Sequence, residues 1–285
     1  MTLIDGKSIS AKVKDEIKSA ASDLAAKGVE PALAVILVGE DAASKTYVAS
    51  KEKACAACGI RSVAHRLSSD VSEAALLELI ENLNEDESID GILVQLPLPK
   101  HIDTNKILEK ISPQKDVDGF SAINVGKLTS GLADGFVPCT PLGVMRLLEE
   151  YGVQIVGKNA VVLGRSNIVG KPMASLLLNA DATVTIAHSK TKGLKQLCAD
   201  ADILVTAVGR THFVSADMVK EGAVVIDVGI NRGEDGKLRG DVDFDAVAPK
   251  CSLITPVPGG VGPMTIAMLL SNTIKSAKNR LRQRA

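Results

Sequence analysis

Tyr47 and Lys51 stand four residues apart in Tyr47-Val-Ala-Ser-Lys51. On a helix that spacing puts a phenol and an amine on one face. Such a pair could stack on a flat ring and move a proton. The ordinary alternative is an amphipathic pair without chemistry. Gln95 closes the apolar run Gly91-Ile-Leu-Val-Gln-Leu-Pro-Leu-Pro99. An amide there needs a partner, either core backbone or a working side chain. Pro113-Gln-Lys-Asp-Val-Asp-Gly-Phe120 carries Asp116 and Asp118 in a turn. Asp-x-Asp could suggest a metal, but no further ligand cluster accompanies it. Turn capping is the plainer role, for Asp116 above all.

A second group of residues points to a dinucleotide. Ala160-Val-Val-Leu-Gly-Arg-Ser-Asn-Ile-Val-Gly-Lys-Pro172 reads as a strand, a glycine turn and a helix start. Backbone amides at such a start can hold a pyrophosphate. The spacing departs from G-x-G-x-x-G: Ser166 replaces the second glycine, and the next is Gly170. A purely structural strand-turn-helix is the alternative. The following strand ends Ala187-His-Ser-Lys190, where binders of NAD usually carry Asp or Glu for the ribose hydroxyls. Arg165, Ser189, Lys190 and Lys192 stand ready for a 2′-phosphate instead, which favours NADP. Thr206-Ala-Val-Gly209 and Asp227-Val-Gly-Ile-Asn231 end later strands, where small residues let backbone approach a nicotinamide or simply turn.

Thr255-Pro-Val-Pro-Gly-Gly-Val-Gly-Pro-Met-Thr265 is rigid and backbone-exposing at once, and reads as a ligand-facing loop. Tyr-x-x-x-Lys is also a short-chain dehydrogenase motif, but there it follows the cofactor turn; here it precedes it. Cys55 and Cys58 lie near a helix's carboxyl end, where thiolates are not stabilised, and read as structural. His65, His101, His188 and His212 form no ligand spacing, so no metal is expected.

Positioning these groups requires two rounds of alternating strands and helices. In the first, helical spacing of Ile9, Val13, Ile17 and Leu24 ends at Gly28. Strands are expected at Ala32–Val38, Ile60–Leu67 and Ile89–Gln95, with helices over 41–58 and 72–84. From Gly126 to Pro141 the pattern fades into an interdomain passage, followed by a helix to Tyr151. The second round has strands at Ala160–Leu163, Thr183–Ala187, Ile203–Ala207, Val224–Val228 and Ser252–Thr255. A long helix from Gly262 to about Arg282 follows a bend and is expected to return to the first domain. The implied class is α/β: two domains, each a mostly parallel sheet flanked by helices, the second of Rossmann type. The expected division is 1–139 plus 262–285 for one domain and 140–261 for the other.

Composition narrows the partners. Thirty-three basic against 34 acidic residues leave a net charge of −1, so no basic field drives nucleic-acid binding. Aromatics are 2%, too few for stacking platforms. Five scattered cysteines do not form a disulfide framework, and no apolar run approaches a membrane span. A cytoplasmic protein with a small-molecule substrate is the expectation.

Together, the stretches Tyr47–Lys51, Gly91–Pro99, Pro113–Phe120, Gly164–Pro172 and Pro256–Thr265 resemble the bifunctional methylenetetrahydrofolate dehydrogenase/methenyltetrahydrofolate cyclohydrolase family, in the family's order and over nearly the whole chain. The resemblance implies oxidation of 5,10-methylenetetrahydrofolate with NADP+ and hydrolysis of the methenyl product to 10-formyltetrahydrofolate. It implies a folate cleft between the domains and a homodimer formed through the cofactor domain. It assigns proton transfer to Lys51, orientation of Lys51 to Gln95, ring packing to Tyr47 and the pterin to Asp118. Further folate contacts would come from Val48, Ala49, Ser50, Val94 and Leu96, and from Pro258, Gly259, Gly260, Val261, Gly262, Pro263 and Thr265. NADP would rest on Gly164, Arg165, Ser166, Ser189, Ala207, Val208, Gly209 and Ile230. A shikimate-type NADP dehydrogenase is the competing enzyme, and would want G-x-G over 164–169. An NADP- or folate-binding module without catalysis is the other alternative, and would dispense with Lys51.

Overall fold

Runs of aliphatic residues bounded by Gly and Pro bury both faces, which is the mark of parallel strands covered by helices. The computed structural model describes residues 1–233 and 235–284, without the side chain of Arg284. Residue 285, in the expected catalytic-domain segment, lies outside it. The chain opens with β1 (Thr2–Leu3), α1 (Gly6–Ala25), β2 (Ala32–Val38), α2 (Ala42–Ala57), β3 (Arg61–Leu67), α3 (Glu73–Glu85) and β4 (Gly91–Val94). There follow α4 (Thr104–Lys110), α5 (Ala122–Thr129), α6 (Cys139–Glu150), β5 (Asn159–Leu163), α7 (Gly170–Asn179), β6 (Thr183–Ala187), α8 (Leu194–Ala199) and β7 (Ile203–Thr206). The rest is β8 (Val224–Asp227), β9 (Asn231–Arg232), β10 (Leu238–Arg239), α9 (Phe244–Val247), β11 (Leu253–Ile254) and α10 (Val261–Arg284).

The chain divides into two compact units. One comprises Lys12–Cys139 and the segment from Ile266 onward. Its sheet has three parallel strands in the order β3-β2-β4. Every residue of β2 is buried, and Ile36, Leu76, Ile80, Ile92 and Ile107 form the core against α3 and α4. Side-chain caps start the helices: Asp41 accepts from Ser44 N at 2.7 Å, and Ser72 from Ala75 N at 3.2 Å. Asp90, buried at the sheet's amino end, accepts from Ala32 N at 2.9 Å and from Arg280 Nε of α10 at 2.7 Å. The final helix therefore packs on this unit, as its position after the bend suggested.

The other unit comprises Met1–Ala11 and Thr140–Thr265. Its six-stranded sheet runs β1-β11-β8-β7-β5-β6 with parallel pairings throughout. Val161, Leu163, Leu204, Val225 and Ile254 build its core. Here the structure departs from the expected division of the chain. The N-terminal residues lie with the six-stranded sheet, because Thr2–Leu3 pair with Leu253–Ile254. Further elements were not anticipated, among them the antiparallel pair β9–β10 and two helices. Asp103 caps the short α4, and Ser121 caps α5, which extends into the stretch expected to be irregular.

Candidate active site

Lys51 on α2 is only 5% exposed. A buried amine needs an acceptor, and Gln95 supplies it: Nζ donates to Oε1 at 3.0 Å. The Gln95 amide then donates through Nε2 to Leu96 O at 2.7 Å, which fixes its orientation. The backbone of Gln95 is held as well, its N–H bonding to Ile36 O of β2 at 2.8 Å. One helical turn before Lys51, the Tyr47 ring lies with its centroid 4.5 Å from Nζ. The intervening residues divide by helix face: Val48 is in the core, while Ala49 and Ser50 are exposed. Val94 is buried and Leu96 is half-buried.

Asp118 enters the same site from the turn that docks on the free edge of β4, through a bridge between Ile92 and Asp116. The two carboxylates divide their roles. Asp116 is 2% exposed and accepts from Ser121 N at 2.8 Å and Asn124 Nδ2 at 2.9 Å, so it builds the turn. Asp118 accepts instead from Cys139 Sγ at 3.4 Å. Asn272 of α10 donates to Val117 O at 2.7 Å and Val137 O at 3.0 Å, tying the turn to the segment before α6. Cys139 and Asn272 were missed in the sequence reading, since nothing local in either segment shows their partner.

Burial drives the titration of this cluster. It pushes the Lys51 amine below its ordinary value, against the upward pull of Asp118. It pushes Asp118 above the usual carboxylate range, against the lowering effect of Lys51. Tyr47 is raised by burial and by Asp118, so it stays a neutral phenol. The result is an amine whose pKa is lowered by burial, held by an amide, beside a carboxyl and a ring.

In the six-stranded unit, β5 runs into Gly164, whose φ is +129°. A Cβ there would lie 2.3 Å from Ala207 O, and one at Gly170 would lie 2.2 Å from Gly164 O. These two strand ends and the start of α7 thus meet as bare backbone, the cradle that a pyrophosphate requires. Ser166 stands in place of the second glycine, and its Oγ accepts from Val169 N at 3.2 Å and Gly170 N at 3.3 Å, holding the turn that leads into α7. Arg165, Ser166, Ser189, Lys190 and Lys192 are exposed around this cradle, so the residues present fit a phosphorylated dinucleotide. Gly164→Ala is expected to raise the NADPH dissociation constant at least tenfold in a fluorescence titration, since both the φ and the clash oppose it. Unchanged affinity would contradict the cradle.

The loops after β7 and β8 are locked by two buried carboxylates. Asp241 Oδ2 accepts from Val208 N at 2.6 Å and Gly209 N at 3.1 Å. Its Oδ1 accepts from Arg210 N and Asn231 Nδ2, each at 2.9 Å. Asp227 accepts from Thr206 Oγ1, Gly229 N, Asp241 N and Val242 N. Burial lifts the Asp227 carboxyl to about 6, its backbone donors only partly offsetting this. Neither aspartate was singled out from sequence for this role. Ala207 and Val208 are half-buried, and Gly209 and Ile230 are exposed. The Pro/Gly loop is anchored in the same unit: Lys7 N donates to Gly259 O at 3.1 Å, and Ser10 Oγ to Pro263 O at 3.0 Å. Thr265 shares a 2.9 Å hydroxyl contact with Thr140. Pro258 is exposed, Gly259, Gly260 and Val261 are buried, and Gly262, Pro263 and Thr265 are half-buried.

The chain as a whole matches known proteins. The catalytic-domain model of tetrahydrofolate dehydrogenase/cyclohydrolase covers residues 4–118, and its NAD(P)-binding-domain model covers residues 138–281. The bifunctional protein FolD of Campylobacter hominis is 71% identical over 283 residues, 99% of each chain. The chain belongs to the tetrahydrofolate dehydrogenase/cyclohydrolase family. Among solved members of that family, bifunctional FolD from Campylobacter jejuni superposes with a TM-score of 0.97 at 59% identity, covering 98% of this chain and 99% of that one. The Trypanosoma brucei member, solved with NADP and an inhibitor, has a TM-score of 0.94 at 42% identity, covering 100% of this chain and 99% of that one. Shikimate 5-dehydrogenase of Thermus thermophilus, at 16% identity and a TM-score of 0.51, shares the fold alone. The shikimate-type alternative is therefore not favoured.

Proposed function

We propose that the chain oxidises 5,10-methylenetetrahydrofolate to the 5,10-methenyl cation with NADP+ and hydrolyses that cation to 10-formyltetrahydrofolate. The observation that carries this reading is the buried Lys51–Gln95 pair beside Tyr47 and Asp118, in a chain of this family. Bound NADP+ supplies the hydride acceptor. Gly164, Arg165 and Ser166 hold its phosphates, with Ser189 at the 2′-phosphate and Ala207, Val208, Gly209 and Ile230 toward the nicotinamide. Asp118 accepts from the adjacent N–H groups of the pterin edge. Tyr47 packs on the ring, and residues of the 258–265 loop contact the folate.

Hydrolysis needs a base. Water adds to the methenyl carbon while neutral Lys51 takes one of its protons. The carbon–nitrogen bond of the five-membered ring then breaks. One proton of the water ends on the departing nitrogen and the other is released, leaving the formyl group. Gln95 holds the Lys51 lone pair toward the attacking water, and the cationic substrate lowers the amine's pKa further.

The pH dependence follows from the direction of that shift. Because the Lys51 value is lowered, the neutral amine forms below the pH at which an ordinary lysine, near 10.5, would lose its proton. Hydrolysis is expected to rise through that lowered value and then level off. Removing the Asp118 charge, which pulls Lys51 upward, is expected to move the rising limb to lower pH. A pH–rate profile on supplied methenyltetrahydrofolate, corrected for the spontaneous reaction, reads both. A limb at 10.5 would contradict the assignment.

We place the protein in the cytoplasm as a homodimer. Five free, buried cysteines suit a reducing compartment. None of the helices among the described residues is long and apolar enough to cross a membrane. The free edge of β6, with Ile186 39% exposed and Leu178 61% exposed beside it, suits pairing between cofactor units. Light scattering on the purified chain tests the dimer.

A further inference from the structure

Asp227 and Asp241 are 4% and 0% exposed, yet no cation is among the eight donors they accept from. Six of the eight are backbone amides, and three of those are consecutive: Val208, Gly209 and Arg210. Two buried carboxylates side by side are costly, and the chain is shaped to admit them. A Cβ at Gly229 would lie 2.3 Å from Asp241 Oδ1, and a Cβ at Gly240 within 1.9 Å of Asp227 Oδ2. The bonds run in one direction. Asp227, at the end of β8, receives the Asp241 amide, and Asp241 in turn receives the loop that follows β7.

We infer that Asp241, seated on Asp227, is the positioning residue for the nicotinamide end of the cofactor site. Its carboxylate fixes the Val208–Arg210 loop and the Asn231 side chain in one conformation, so that the loop is formed before the cofactor arrives. This rests on the reading that Ala207, Val208, Gly209 and Ile230 face the cofactor. Asp241 touches no reacting atom and works through those backbone groups. Asparagine is nearly isosteric but has a single acceptor oxygen. In either amide orientation its NH2 would confront two donors: Val208 and Gly209, or Arg210 and Asn231.

The test uses the full chain and three readings: NADPH affinity by fluorescence titration, KM for NADP+, and hydrolysis of supplied methenyltetrahydrofolate without cofactor. Asp241→Asn is expected to raise the NADPH dissociation constant and the KM for NADP+ about tenfold, the size expected for unpaired buried donors. Hydrolysis should stay within about twofold of wild type, because Lys51 and Gln95 belong to the other unit. If Asp241→Asn fails to fold, Asn231→Ala decides, with an expected loss of NADPH affinity of about threefold and hydrolysis unchanged. Wild-type NADPH affinity in the folded variant overturns the inference. So does a parallel loss of affinity and hydrolysis, which is what a merely structural role predicts. Failure of the wild-type chain itself to bind NADPH would instead overturn the cofactor reading.

Discussion

Lys51→Met is expected to abolish methenyltetrahydrofolate hydrolysis while the dehydrogenase survives. Methionine keeps the length and apolar bulk beneath the Tyr47 ring, but its thioether is not basic and cannot take the water's proton. Positioned proton transfer is worth roughly 10²- to 10⁴-fold, so enzymatic hydrolysis should fall to near the spontaneous rate. Hydride transfer asks no proton of Lys51, and NADPH formation should stay within about threefold. The Gln95 carbonyl loses its donor, which costs about 1–3 kcal/mol of stability. The assay follows NADPH and the methenyl chromophore together. Loss of both activities in a folded, NADP-binding variant would defeat this division of roles.

Asp118→Asn is the second large effect, and it strikes both activities. The pterin edge offers two N–H donors, and a carboxylate is the matching double acceptor. Asparagine turns one acceptor into a donor, so one bond is lost and the other faces repulsion. Charge-assisted bonds contribute about 1.5–3 kcal/mol each, so kcat/KM for methylenetetrahydrofolate should drop about 100-fold or more. Most of the loss should fall on KM. NADPH affinity should hold, since Asp118 lies in the three-stranded unit and the cofactor cradle in the other. A normal KM for folate would remove Asp118 from the pterin.

Much of this was legible before the structure because it is local. The fully apolar Ala32–Val38 needs no partner to declare itself a buried parallel strand, and Tyr47 and Lys51 share a face wherever 41–58 is helical. What was not legible depends on distant partners. Thr2–Leu3 is a strand only because Leu253–Ile254 lies alongside. Ser166 departs from a glycine fingerprint, and its hydroxyl holds the turn into α7. Asp116 and Asp118 are two residues apart in the same turn, yet one accepts backbone donors and the other faces the site. Asp241 has no local signal of its role, because the loop after β7 closes on it from 31 residues away. Cys139 gains its place beside Asp118 across 21 residues. Periodicity carries no information about such pairings.

The central claim is that one chain performs both steps, and a single progress curve tests it. Methylenetetrahydrofolate and NADP+ are mixed with the enzyme, and NADPH, the methenyl intermediate and 10-formyltetrahydrofolate are read separately. The account predicts that NADPH rises, methenyl stays below its cofactor equivalent, and the 10-formyl product forms faster than spontaneous hydrolysis allows. Methenyl accumulating mole for mole with NADPH would reduce the protein to a dehydrogenase and contradict the role given to Lys51. Absence of NADPH would contradict the account entirely.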